Sequence, residues 1–242
     1  MPATGKKILA DLWHNKTRSL LVALSIAVGV FAVGVVASAF ALVQKDMAAD
    51  YAVANAHTAR IYTGEFDDGL LSGLRDVPGV TAVDGRYNLW VKISDTTGKL
   101  YPINLNSIGP LADIQVDQLI FEAGSATLAE GEIYLERQGA EGLGVSPGDA
   151  VTLTLNDGQT RQLRVAGTVH DVTANPFAFT DQTSGYVTPE TMAELGGSAL
   201  YNFVSLITAG SPTDAAQVRE VADRVAAEIE AAGYTVYNVN VT

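Results

Sequence analysis

The pattern of apolar and polar positions divides the chain into two unlike parts. Between Arg18 and Lys45 no residue carries a formal charge, and residues 19–44 are mostly Leu, Ala, Val, Gly, Ile and Phe. A membrane-crossing helix needs about 20 apolar residues, and it satisfies every backbone amide within itself. The pattern therefore predicts a transmembrane helix over 20–43. Residues 44–57 contain neither Gly nor Pro and are rich in Ala, which predicts a helical stalk continuing outward from the span.

From residue 58 the period changes. Thr58–Thr63 reads as a short strand, and Phe66, Leu70, Leu74 and Val77 recur at helical spacing up to the stop at Pro78-Gly79. Tyr87, Leu89, Val91 and Ile93 then alternate with polar neighbours as a long strand. It turns at Asp95-Thr96-Thr97-Gly98 and returns over about Leu100–Ile108. Residues 110–197 are richer in Gly and in short strands. Ile133–Glu136 is one, and Val151, Leu153 and Leu155 run to the turn Asn156-Asp157-Gly158-Gln159, with Leu163, Val165 and Val169 on the way back. Thr173–Ser184 reads as an irregular loop. A strand over Asn202–Thr208 follows, then a cap at Ser211-Pro212-Thr213-Asp214 and a helix whose face is Val218, Val221, Ala222, Val225, Ile229 and Ala232. Gly233 stops that helix before a last strand, Tyr234–Val241.

The expected fold is α+β: one N-terminal transmembrane helix, then an extracytoplasmic mixed-sheet domain of two strand–helix–strand halves with an inserted small β-rich subdomain. The expected divisions are an N-terminal cytoplasmic segment 1–19, the span 20–43, the stalk 44–57, a core made of 58–109 plus 198–242, and the insert 110–197. Helices on one face of a small sheet would bury the two apolar stripes.

Charge gives this layout a direction. Residues 1–45 hold five Lys or Arg against Asp11 alone, a balance of +4, whereas residues 46–242 carry −16 of the total −12. Cytoplasmic flanks are enriched in Lys and Arg, so Asn15, Lys16 and Arg18 are expected to lead into the span from the cytoplasm, with the acidic body outside. An acidic body does not suit a nucleic-acid partner. A cleavable signal peptide is the alternative, and Ala37-Ser38-Ala39 matches a small-x-small cleavage site. However, the apolar run Leu20–Val36 is 17 residues long before that site, beyond the usual ~7–15, and it continues to Val43. Within the span Ser25/Gly29 and Gly34/Ser38 are small residues four apart, a possible helix-packing face.

Candidate chemistry is sparse. The chain has no Cys and three His, namely His14, His57 and His170. There is no thiolate site, no H-E-x-x-H and no phosphate-binding G-x-x-x-x-G-K-[ST], so no catalytic, cofactor-binding or metal-binding residue is assigned. His170-Asp171 is a weak imidazole–carboxylate candidate, and Asp67-Asp68 reads as a helix start rather than a cation site.

Three stretches carry a family resemblance. Asn15-Lys16-Thr17-Arg18-Ser19-Leu20-Leu21 runs into Ser25-Ile26-Ala27-Val28-Gly29-Val30. Leu74-Arg75-Asp76-Val77-Pro78-Gly79-Val80 forms a helix end and turn. Leu143-Gly144-Val145-Ser146-Pro147-Gly148-Asp149 is followed by Val165-Ala166-Gly167-Thr168-Val169. They resemble the membrane permease subunits of MacB/FtsX-type ABC transporters, including the extracytoplasmic core domain and its inserted β-rich part. The resemblance implies an ABC ATPase partner, a homodimer or heterodimer of permeases in membrane lipid, and an outer domain that transmits ATP-driven motion for export, lipoprotein extraction or partner regulation. It implies no catalytic residue in this chain. Such permeases usually have three further spans after the outer domain, so the expectation is either the front part of a longer permease or a single-span protein. The rivals from other classes are a stand-alone membrane-anchored binding module and a secreted enzyme released after Ala39.

Overall fold

The computed structural model describes residues 16–242. Lys6, Lys7, Asp11, His14 and Asn15 lie outside the described residues. The chain forms two compact units, Met1–Ala49 and Asp50–Thr242. One helix, α1 (Lys16–Val53), carries the stretch Leu20–Phe40, which is long and apolar enough to cross a membrane. The stalk ends four residues before its expected limit at 57. Asn55 adopts a left-handed conformation (φ 48°), and the Ala56 N–H reaches back to the Tyr51 carbonyl at 3.0 Å. This is the left-handed closure by which helices commonly terminate, and Asn tolerates it better than most residues.

In the second unit, β1 (Ala59–Phe66), α2 (Asp68–Leu74) and β2 (Val80–Arg86) precede β3 (Asn88–Ser94) and β4 (Leu100–Ser107). Next come β5 (Ile120–Gly124), β6 (Glu132–Glu136), α3 (Arg137–Leu143), β7 (Ala150–Thr154), β8 (Thr160–His170), α4 (Phe177–Thr180), β9 (Thr183–Val187) and α5 (Pro189–Glu194). The chain closes with β10 (Tyr201–Thr208), α6 (Ala215–Ala231) and β11 (Val236–Val241).

Four strands form an antiparallel sheet in the order β11-β1-β10-β2. Two strand–helix–strand units interleave in this order, a split arrangement found in many α+β domains. Both helices cover one face. Leu71 and Leu74 of α2, and Val218, Ala222, Val225 and Ile229 of α6, share one buried cluster with Ala59, Ile61, Val204 and Leu206. Three sequence expectations shift here. Phe66 belongs to β1 rather than to the helix, and Leu71 rather than Leu70 joins Leu74 as a buried residue of α2. The cap of α6 is Asp214, whose carboxylate accepts the Gln217 N–H at 3.1 Å, and not Ser211.

The other strands form a seven-stranded sheet, β5-β8-β6-β9-β4-β3-β7, in which β7 also pairs with β8. That last pairing closes β8, β6, β9, β4, β3 and β7 into a barrel-like ring, and β5 adds along the far half of β8. The ring encloses Ile93, Ile103, Leu105, Ile133, Leu135, Leu153 and Val165. Here the structure corrects the expected division of the chain. The expected core 58–109 includes the hairpin β3–β4, but that hairpin pairs with β7 and β9 in the ring. The strand expected from Tyr87 is β3, whereas Val80–Arg86, for which no element is expected, forms β2. The chain changes sheet at Tyr87, whose N–H donates to Ser107 Oγ at 2.9 Å. Alternation sets which face a residue occupies; it does not choose the partner strand.

Candidate functional site

The polar centre of the second unit lies directly after the end of α1. The Ala54 and Asn55 carbonyls accept the backbone N–H groups of Gln118 (2.7 Å) and Asp117 (3.0 Å). Asp117 Oδ1 accepts the His57 backbone N–H at 2.9 Å and faces the His57 ring Nδ1 at 2.8 Å, while Nδ1 lies 3.0 Å from Oδ2. A carboxylate can only accept, so Nδ1 carries the proton. Arg60 Nη2 donates to Oδ2 at 2.8 Å. The Asp117 side chain is fully buried, and its backbone is left-handed (φ 55°).

The strap 114–118 is gripped equally firmly from β2. Asp84 Oδ2 accepts the N–H groups of Gln115 and Val116, each at 2.7 Å. Arg86 Nη2 donates to the carbonyls of Val116 (2.9 Å) and Asp117 (2.8 Å). This strap leads from the ring strand β4 to β5, so three parts of the fold converge on Asp117: the segment leaving α1, the four-stranded sheet and the route into the ring. We call this knot the Asp117 latch. Burial alone would raise the Asp117 carboxyl, but the hydrogen bond and charge of His57, joined by Arg60 and Arg86, hold it well below the usual carboxylate range. Asp84 moves the other way. Burial raises it, against the hydrogen bonds from Val116 and Gln115.

The sequence-predicted residues lie elsewhere. Arg18 is exposed on α1, as are Ser25, Gly29, Gly34 and Ser38, and no atom approaches within 4 Å of a Cβ built on Gly29 or Gly34. At 3.6 residues per turn, Ser25/Gly29 and Gly34/Ser38 lie about 180° apart. They are two patches on opposite sides of the helix rather than one face. Lys16 begins the helix. His170 and Asp171 do not form an imidazole–carboxylate couple. His170 faces Arg137 and Glu136, whereas Asp171 accepts from Tyr186 and Thr173. Asp67 caps α2 by accepting the Gly69 N–H at 2.9 Å. Among the described residues no group of His, Asp and Glu is arranged to hold a metal ion. The latch itself was missed by sequence reading, because its charged residues sit far apart and follow no period.

No protein-family model and no curated protein matches the sequence. Among solved structures, the chain is similar to the extracellular domain of the noncanonic ABC-type transporter YknZ from Gram-positive bacteria, at 19% identity and a TM-score of 0.48, over 75% of this chain and 99% of that one. It is also similar to the periplasmic region of MacB from Actinobacillus actinomycetemcomitans, at 13% identity and a TM-score of 0.47, over 80% of this chain and 94% of that one.

Proposed function

We propose that this chain is the N-terminal part of a MacB/FtsX-type ABC transporter permease. Its N-terminus is cytoplasmic, its span is held in the cell membrane, and its α+β body is extracytoplasmic. A partner ATPase hydrolyses ATP, and the body passes the resulting motion to export, lipoprotein extraction or the regulation of another protein. The chain performs no catalysis of its own in this reading.

The observation that carries the reading is the continuity of one helix. The apolar stretch and the last turn before the Asp117 latch both belong to Lys16–Val53. The residues that follow are bound by charge-assisted hydrogen bonds, which are stronger than neutral ones. The two small-residue patches support a span that packs against other membrane helices on two sides, one of them in a second permease copy. The basic flank supports the orientation.

Affinity purification of the full chain from membranes of the cells that encode it tests the proposal. An ATPase should co-purify in a fixed ratio, and its turnover should change when the chain carries Asp117→Ala. A chain that purifies without nucleotide turnover favours a membrane-anchored binding module instead. Protease added outside spheroplasts should digest the residues beyond Lys45 and spare a tag at Met1.

A further inference from the structure

On the opposite face of the four-stranded sheet from the helices, a cavity of about 200 Å³ opens against the ring. Ile61 of β1 points into the helix-covered core, so its neighbours Arg60 and Tyr62 point to this side. Arg86, Trp90, Asn104, Thr173 and Gln182 complete the lining that matters here.

The balance of donors and acceptors is uneven. Arg86 is only 5% exposed, and its Nη2 makes both hydrogen bonds to the strap carbonyls. Among the described residues, its Nε and Nη1 have no hydrogen-bond partner. Arg60 engages Ser205 through Nε and Asp117 through Nη2, and Tyr62 stands beside it. The carboxylate lining the cavity, Asp171, is already occupied. Its Oδ1 accepts the Thr173 N–H and O–H, each at 2.7 Å, and its Oδ2 accepts the Tyr186 O–H. The cavity thus offers guanidinium N–H groups, and beside them Asn104 Oδ1, a buried acceptor without a partner among the described residues, so a fitting ligand presents a hydroxyl or N–H as well as an acceptor. Both guanidinium groups are held in place by their other bonds, so little ordering remains to be done when a ligand arrives.

We propose that this cavity binds a small oxyanion, a carboxylate or a phosphate group, carried by a compact polar molecule. With Nη2 spent on the strap, Arg86 offers the oxyanion single charge-assisted hydrogen bonds from its other nitrogens rather than a two-pronged grip. Trp90, 48% exposed, supplies a flat apolar wall for the body of the ligand. The cavity is smaller than the roughly 300–1,000 Å³ of drug-sized sites, which limits that body to about one ring.

The test uses the full chain in detergent with Trp13→Phe, which leaves Trp90 as the sole tryptophan of the two. Inorganic phosphate, glucose 6-phosphate, glucuronate and glucose are titrated at constant ionic strength, followed by calorimetry and by Trp90 emission. At least one anion should bind saturably, with Kd about 1 mM or tighter, and glucose should not. The stronger of the phosphate and carboxylate arms identifies the source of the oxyanion. Gln182→Glu adds a negative charge at a half-buried wall position without touching the latch. It should leave the melt unchanged and weaken binding about tenfold or more. Arg86→Lys, which removes the guanidinium nitrogens that face the cavity, should also weaken binding. The proposal is overturned if no anion binds saturably, if glucose binds as well as the anions, or if Gln182→Glu binds undiminished.

Discussion

Asp117 Oδ1 holds both the backbone N–H and the ring Nδ1 of His57, at 2.9 and 2.8 Å, across 60 residues of sequence. One oxygen thereby fixes both the path of the chain and the orientation of the imidazole. His57 stands two residues after the left-handed Asn55 and two before Ala59, the first residue of β1.

Removing the Asp117 carboxylate leaves the half-buried His57 and Arg60 without their partner. Breaking a buried ionic group this way costs about 3–5 kcal/mol. Asp117→Ala should cost at least that in a denaturant titration of the full chain in detergent, since a left-handed Ala adds about 1 kcal/mol. Asp117→Asn tolerates the backbone and keeps one acceptor, so it should cost less. Equal losses for the two variants would mean that backbone conformation, not charge, dominates.

Acid should weaken the latch. The folded pKa of Asp117 is depressed, so its stabilisation is fully present above the unfolded value of about 3.9 and is lost as pH falls towards the folded value. Asp84, raised by burial, acts in the opposite sense and offsets part of that loss. Melting temperatures measured from pH 6 downward should fall below about pH 4 in the parent and more shallowly in Asp117→Asn. Parallel acid limbs would rule out Asp117 as the titrating group.

Gly124 and Gly167 face each other across β5 and β8. A Cβ on Gly167 would stand 2.4 Å from the Ala123 carbonyl oxygen, and one on Gly124 would stand 2.2 Å from that of Ala166. Backbone cannot yield as a side chain can, so Gly167→Ala should destabilise by about 1–3 kcal/mol, or detach β5 from β8. Hydrogen exchange of the β5 amides separates these outcomes, and unchanged stability and exchange would refute the close approach.

Ile229 of α6 and Leu74 of α2 are each at most 1% exposed and share one cluster. Ile229→Ala should cost about 2–5 kcal/mol. Combined with Leu74→Ala it should depart from additivity if the shared core relaxes as one. A strictly additive double variant would show that the two helices pack independently.

Some of this architecture was legible in the sequence because it is periodic. The uncharged run gives the span, Val218 to Ile229 gives the buried face of α6, and Asn156–Gln159 gives the β7–β8 turn. Partner choice was not legible. The alternation from Tyr87 to Ile93 marks a strand without naming its sheet, so the place of β3–β4 in the ring stayed hidden, and β2 has no alternation of its own strong enough to mark it. The helices α3 and α5 are too short to show a period, although Thr188-Pro189-Glu190 does carry the cap and first-turn signals of α5. The latch and the cavity are assembled from single polar residues brought together by tertiary structure. Asp117, among Ile114-Gln115-Val116-Asp117-Gln118, has no local mark of its role.

In the permease proposed above, ATP-driven motion reaches the body through the Asp117 latch. Hydrogen–deuterium exchange on the chain in membranes with its ATPase measures this directly. The His57, Asp117 and Gln118 amides all donate across the latch. They should exchange faster during ATP turnover than without nucleotide, while the buried Ile103 and Leu105 amides of the ring hold steady. ATP turnover with no change in exchange at His57, Asp117 and Gln118 would contradict the account.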